Sequence, residues 1–222
     1  MINMVIKNAD ETKITGSKIK DFDKSDSNEL VLDLLSPNRS IDMKVNEVFE
    51  DLPKSFALIL VLPRAQHELR YLRLVKYFTD KNLPGIYITL NKSTSELLEE
   101  MKPQGIKIEK IIFIDSVTKM ADGAEIKSDN ISYLESPDDI TELNFECEHA
   151  INRLKKGEGF VIVDSITTLL VYNKAATVEK FIHTLSQKVK NLGLQGIFFA
   201  AESTDKETLD TISQFCDDIR NL

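Results

Sequence analysis

The chain lacks any apolar stretch able to cross a bilayer: its longest run, Phe56 to Leu62, falls far short of the roughly 20 residues a spanning helix needs. The opening MINMVIKNADETK has no apolar signal core either, so the expectation is a cytoplasmic protein with no membrane partner. Positive charge is in deficit. Against 36 Asp and Glu stand 28 Lys and Arg, a net charge of −8, which repels phosphate backbones at long range, and a nucleic-acid partner is not expected. Cysteine is scarce: Cys147 and Cys216 are expected to be reduced thiols in a chain without a secretory signal. Cys147 and His149 lie two apart on a predicted helix and face different ways, so no metal site is expected. With 8 Gly and 6 Pro the chain is neither fibrous nor low in complexity.

What is present is enough for one folded domain: 222 residues, 42% of them hydrophobic. Lys7 to Asn28 is polar and without apolar period, which predicts a mobile N-terminal segment over 1–28 and a folded domain over 29–222. The patch ELVLDLL, from Glu29 to Leu35, suits a strand or a helical turn equally and is closed by Pro37. Beyond it, short apolar runs alternate with longer amphipathic segments, the pattern of parallel strands joined by crossover helices. Strands are predicted at Phe56 to Leu62, Ile86 to Leu90, Ile111 to Ile114, Phe160 to Val163 and Ile197 to Ala200. Each is almost continuously apolar, as strands buried on both faces are. The fold class is therefore α/β, a three-layer domain with a mostly parallel central sheet flanked by helices.

The helices carry their own punctuation. Ser93 with Glu96 reads as a capping box, and Ser136 ahead of Pro137, Asp138 and Asp139 reads as a cap with an N-terminal proline and acidic first turn. Ala175 to Asn191 places Val178, Phe181, Ile182, Leu185 and Val189 on one face and stops before Gly193. Thr204 with Glu207 starts a last helix that ends near Phe215.

Ligands of an open parallel sheet sit at the carboxyl ends of its strands, so the residues that follow each strand carry the chemistry. A phosphate-binding loop would read Gly-x-x-x-x-Gly-Lys-Ser or Thr after the first strand, its backbone N–H groups wrapping phosphate. Here the chain reads LPRAQHELRYLRLVKYF. The segment before it, VNEVFEDLPKSFALILV, resembles the lead-in to the Walker A loop of archaeal KaiC-like proteins of the RecA superfamily. FVIVDSITTLLVYN resembles that family's Walker B strand, and GIFFAAES and FCDDIRNL are similar to its closing segments. The resemblance runs from about Asp42 onward and implies a RecA-like P-loop NTPase fold.

The phosphate loop itself departs from the family pattern. On the aligned strand the two glycines fall on Leu62 and His67, the lysine on Glu68 and the hydroxyl residue on Leu69. Side chains there restrict the backbone of a phosphate nest, and Glu68 would set a carboxylate against triphosphate. No lysine occurs between Phe56 and Arg73. After GIYITL the family places a catalytic glutamate, whereas this chain has Asn91 and Lys92. No catalytic residue is assigned, and no cofactor is expected, ATP with magnesium only in an unconventional mode.

The residues that could still touch a ligand are Asp164 and Ser165 at the Walker B position, with Arg64 and Arg70 as phosphate contacts. Each has a plain alternative: Asp164 as a carboxylate capping the next turn, the arginines as solvated or partner-facing charges near a helix start. Three functions stay open. The leading one is a catalytically inactive RecA/KaiC-like domain, a regulatory or scaffolding module in signalling whose partner is a protein, an active relative or a second copy of itself. The second is a sensor that binds a nucleotide or small anionic metabolite without hydrolysis near Arg64, Arg70 and Asp164. The third is a Rossmann-type enzyme such as a transferase, against which stand the missing glycine-rich turn and Gly-x-Ser-x-Gly elbow.

Overall fold

The computed structural model describes residues 37–63 and 67–222. The polar stretch from Lys7 to Asn28, the ELVLDLL patch and Arg64 lie outside the described residues. The chain divides into two units, Met1–Ser40 and Ile41–Leu222. Of the first, only the opening residues of one helix are described, and the architecture below is that of the second.

Helix α1 (Pro37–Glu50) opens with proline at its first position, where the missing N–H costs no hydrogen bond. It leads into β1 (Phe56–Leu62), followed by α2 (His67–Asp80), β2 (Gly85–Thr89), α3 (Thr94–Met101), β3 (Ile111–Asp115) and β4 (Ile131–Tyr133). The second half runs α4 (Ile140–Ile151), β5 (Phe160–Asp164), α5 (Ile166–Tyr172), α6 (Ala175–Asn191), β6 (Gln195–Ala201), α7 (Lys206–Ser213) and β7 (Asp218–Asn221). The strands form one seven-stranded sheet in the order β4-β3-β2-β5-β6-β1-β7, with every pairing parallel.

Alternation of side chains along each strand splits the core in two. Ala57 and Ile59 of β1, Ile86 and Ile88 of β2, and Val161 and Val163 of β5 face one way, against Leu143 of α4, Ile166 of α5, Ile182 of α6 and Ile212 of α7. Leu58 and Leu60, Tyr87, Phe160 and Ile162 face the other way, against Ile41 of α1, Leu74 of α2 and Met101 of α3. A sheet covered on both faces explains why its central strands read as unbroken apolar runs. Each fully buried aliphatic or aromatic side chain in these layers contributes about 1.5–3 kcal/mol.

All five predicted strands are present, each within about two residues of its expected limits. Two further strands and α1 were not anticipated. β4 is half-buried and β7 alternates between half-buried and exposed, because both are sheet edges with one flank open.

Two helix starts are corrected. Ser136 does not cap α4: Asp139 does, its Oδ1 accepting from Glu142 N at 2.8 Å. The chain through Leu134 is still bonded to the sheet, Leu134 N to Asp115 O at 2.8 Å, and reaches the helix only after Pro137 and Asp138. Likewise Asp205, not Thr204, caps α7, because the Thr204 hydroxyl is engaged by Thr167 Oγ1 at 2.7 Å. The Ser93–Glu96 capping box is formed as predicted, and α6 ends where Gly193 takes φ 72°.

Gly85 is required for room, not for conformational freedom. A Cβ there would fall 2.1 Å from the Phe160 ring, its partner in the β2–β5 register. That ring stacks on Phe78 at 4.8 Å between centroids. Among the described residues no helix is long and apolar enough to cross a membrane.

Candidate functional site

The chain order β2, β3, β4 moves outward to one edge, while β5 and β6 move the opposite way. The reversal lies between β2 and β5, and in parallel sheets the crevice outside the carboxyl ends at such a point is where ligands sit. Asp164 ends β5 there, paired with Thr89 at the end of β2.

Alternation puts Asp164 on the same face as Phe160 and Ile162, toward α1 to α3, where Tyr87 of β2 also points. The Tyr87 hydroxyl donates to Asp164 Oδ2 at 2.9 Å, and Asn91 Nδ2 donates to Oδ1 at 2.9 Å. Asp164 is only 2% exposed, so these donors stand in for water around a buried carboxylate. Burial, then the Asp164 charge and the hydrogen bond to it, push the Tyr87 phenol well above its ordinary value, which keeps it a donor. The Asp164 carbonyl accepts from Leu90 N at 2.8 Å, and the peptide bond to Ser165 is cis.

Asn91 is held in turn. Its Oδ1 accepts from the Thr168 hydroxyl on the first turn of α5. Ser165 caps that helix, accepting from Thr168 N at 3.4 Å. The side chains at the mouth of β2 and β5 thus form one chain, Tyr87 to Asp164 to Asn91 to Thr168 to Ser165.

Beside it, Lys92 pairs with Glu100 of α3 at 2.5 Å, and Glu100 also accepts from the Tyr71 hydroxyl of α2. The Lys92 ammonium lies 5.6 Å from the Tyr71 ring centroid, within cation–π range. At the end of β3, Asp115 is fully buried and accepts four hydrogen bonds: Thr94 N at 2.6 Å, Val117 N and Thr118 N at 2.8 Å, and Thr118 Oγ1 at 2.7 Å. Burial raises its pKa, but the donors of Thr118, Thr94 and Val117 outweigh that and leave it below the ordinary carboxylate value.

The sequence candidates separate in space. Asp164 and Ser165 share the cluster just described. Arg70, in the early part of α2, instead lines a groove with Lys44 and Glu47 of α1 and with Arg220 of β7. It makes no hydrogen bond or ion pair with Asp164, and β6 stands between β1 and β5. Of the residues aligned with the phosphate loop, Leu62 closes β1 and Leu69 packs against the core from α2.

Tyr87 escaped the sequence reading. Its signal was a lone polar-tipped aromatic inside the aliphatic run GIYITL, and only the β2–β5 pairing reveals what it meets. Chemically the cluster offers a carboxylate, hydroxyls and an amide; an amide accepts hydrogen bonds but does not abstract a proton near neutral pH.

Among curated proteins none matches this sequence. Solved structures do. The uncharacterised protein PH0321 from Pyrococcus horikoshii, in complex with an unknown peptide, superposes with a TM-score of 0.60 at 9% identity, covering 80% of this chain and 82% of that one. The KaiC-like protein PH0186 from the hyperthermophilic archaeon Pyrococcus horikoshii OT3 gives 0.54 at 13% identity, covering 80% and 76%. At such identities the likeness is one of fold, and the fold is KaiC-like and RecA-like. Residues 85–220 match a family described as a family of unknown function, DUF7504, and because that span is more than half of the sequence, the chain belongs to this family.

Proposed function

We propose that this chain is a KaiC-like domain that does not turn over ATP and acts in a regulatory or scaffolding role by binding another protein. The observation that carries the reading is Asn91. At the strand end where the KaiC-like resemblance places a catalytic glutamate, an amide donates to Asp164 and accepts from Thr168. It ties the Walker B carboxylate into the protein's own hydrogen bonds and supplies no base. The sequence after β1, with Glu68 and Leu69 at the lysine and hydroxyl positions, points the same way.

The protein-binding half of the reading draws on two observations. PH0321, of similar fold, was solved with a peptide. In this chain Phe145 of α4 and Val171 of α5 are large apolar side chains at 65% and 75% exposure, available to a partner surface.

Phosphate release from magnesium ATP is the decisive assay. The expected rate equals the buffer blank for the wild type and for Asp164→Ala alike; release that vanishes in Asp164→Ala overturns the reading. In parallel, selection of a displayed peptide library against the chain is expected to yield a consensus peptide that binds wild type and Asp164→Ala equally. No enriched peptide, or one that needs Asp164, counts against a protein-binding role apart from the strand-end cluster.

A further inference from the structure

Arg70 leads away from the Asp164 cluster. It lines a groove of about 590 Å³ beside β7, a size typical of small-molecule sites. Lys44 of α1 and Arg220 of β7 stand on the same walls, with Glu47 opposing them and buried Val48 and Leu222 as apolar lining. Lys44, Arg70 and Arg220 outnumber Glu47 and the Asp218 carboxylate bonded to Arg220, a local excess of positive charge in a protein of net charge −8.

The two arginines differ in how they are held. Among the described residues the Nε of Arg70, shut off from solvent, has no hydrogen-bond partner, and its guanidinium makes no ion pair. Dehydrating a charged donor without a partner is unfavourable, and since Arg70 lines the groove, the terminal nitrogens of its guanidinium are the ones a ligand there would meet. Arg220 is oriented in advance: its Nε donates to Asp218 Oδ2 at 2.7 Å and its Nη1 to the Val48 carbonyl at 2.6 Å, while Nη2 is uncommitted among the described residues. Such fixing lowers the ordering cost of binding. The groove also opens where a parallel sheet favours ligands, since Arg220 is near the end of β7 and Arg70 is on the helix that follows β1.

We propose that this groove binds a small phosphate-bearing molecule. The planar fork of Arg70 matches two phosphate oxygens, Arg220 and Lys44 neutralise the remaining charge, and Glu47 accepts from a hydroxyl of the same molecule. The proposal uses none of the side chains on which the proposed function rests, so ATP turnover would sink that reading and leave this one standing.

The test is calorimetric titration with inorganic pyrophosphate in metal-free, low-salt buffer. Wild type and Asp164→Asn are expected to bind saturably with equal affinity, and Arg70→Gln about tenfold or more weakly, the scale of one charged hydrogen-bonding partner. Arg70→Lys, which keeps the charge and loses the fork, is expected in between and guards against a folding defect. Backbone amide shifts on adding pyrophosphate to the wild type are expected at 44–48 and 218–222. Absence of saturable binding, binding that survives Arg70→Gln but not Asp164→Asn, or shifts confined to 89–92 and 164–168 would each overturn the proposal.

Discussion

A buried carboxylate persists only with donors around it, and for Asp164 the fixed donor is Tyr87, which is itself fully buried. Replacing Tyr87 with Phe keeps the ring and removes one charge-assisted hydrogen bond, leaving Asp164 short of a partner out of reach of water. The expected loss is about 1.5–3 kcal/mol in urea unfolding. In a double-mutant cycle the same change made on an Asp164→Asn background should cost less, because the charge is gone. Equal costs on both backgrounds would mean that the hydroxyl is not there to serve the carboxylate. Asn91 differs in kind: it is exposed, so water can replace its amide when it is removed.

At the scale of elements, the helix caps separate a sequence signal from the residue that acts. Asp139→Ala is expected to cost about 1 kcal/mol through the lost bond to Glu142 N, and Ser136→Ala close to nothing. Thermal unfolding of the two variants checks this, and the reverse ranking would restore Ser136 as the cap. The misreading has a physical cause: Ser, Asp and Asp in succession all suit a cap, and the choice among them depends on how far the chain leaving β4 stays bonded to the sheet. The same logic divides the strands. β1, β2, β3, β5 and β6 were legible because burial on both faces leaves no polar position in the run, whereas ISY and DIRN sit at edges with one flank in solvent and carry no such pattern. Of the site, Asp164 was legible as a carboxylate ending an apolar strand. Its partners were not, since Tyr87 and Asn91 stand 77 and 73 residues away in the chain and meet it only through strand pairing. Arg70 and Asp164, joined in one site by the sequence reading, belong to opposite flanks of β6.

For the whole molecule, the carboxylates that hold its joints point to one response. Asp115 lies below its ordinary pKa because hydrogen bonds from Thr118 and its neighbours overcome burial. Glu96 is lowered by Ser93 and Asp205 by Thr208, both through cap hydrogen bonds, and Asp218 by Arg220. A group depressed in the folded state takes up its proton first in the unfolded one, so its stabilisation is present above the ordinary carboxylate value and is lost as pH falls through the lower, folded value. Unfolding free energy is therefore expected to be flat near neutrality and to fall steadily below about pH 4. Asp115→Asn should lower the neutral plateau by about 2–3 kcal/mol, as a buried hub loses a charged acceptor, and should flatten the acid slope. An unchanged slope would place acid sensitivity elsewhere. The space between Gly85 and Phe160 acts at this scale too. Because a single methyl group at 85 collides with the ring at 160, Gly85 is fixed for as long as Phe160 stands. An alanine at 85 becomes admissible only after the ring at 160 has shrunk, so in this chain the order of two substitutions is set by one contact, the residue at 160 first and the residue at 85 second.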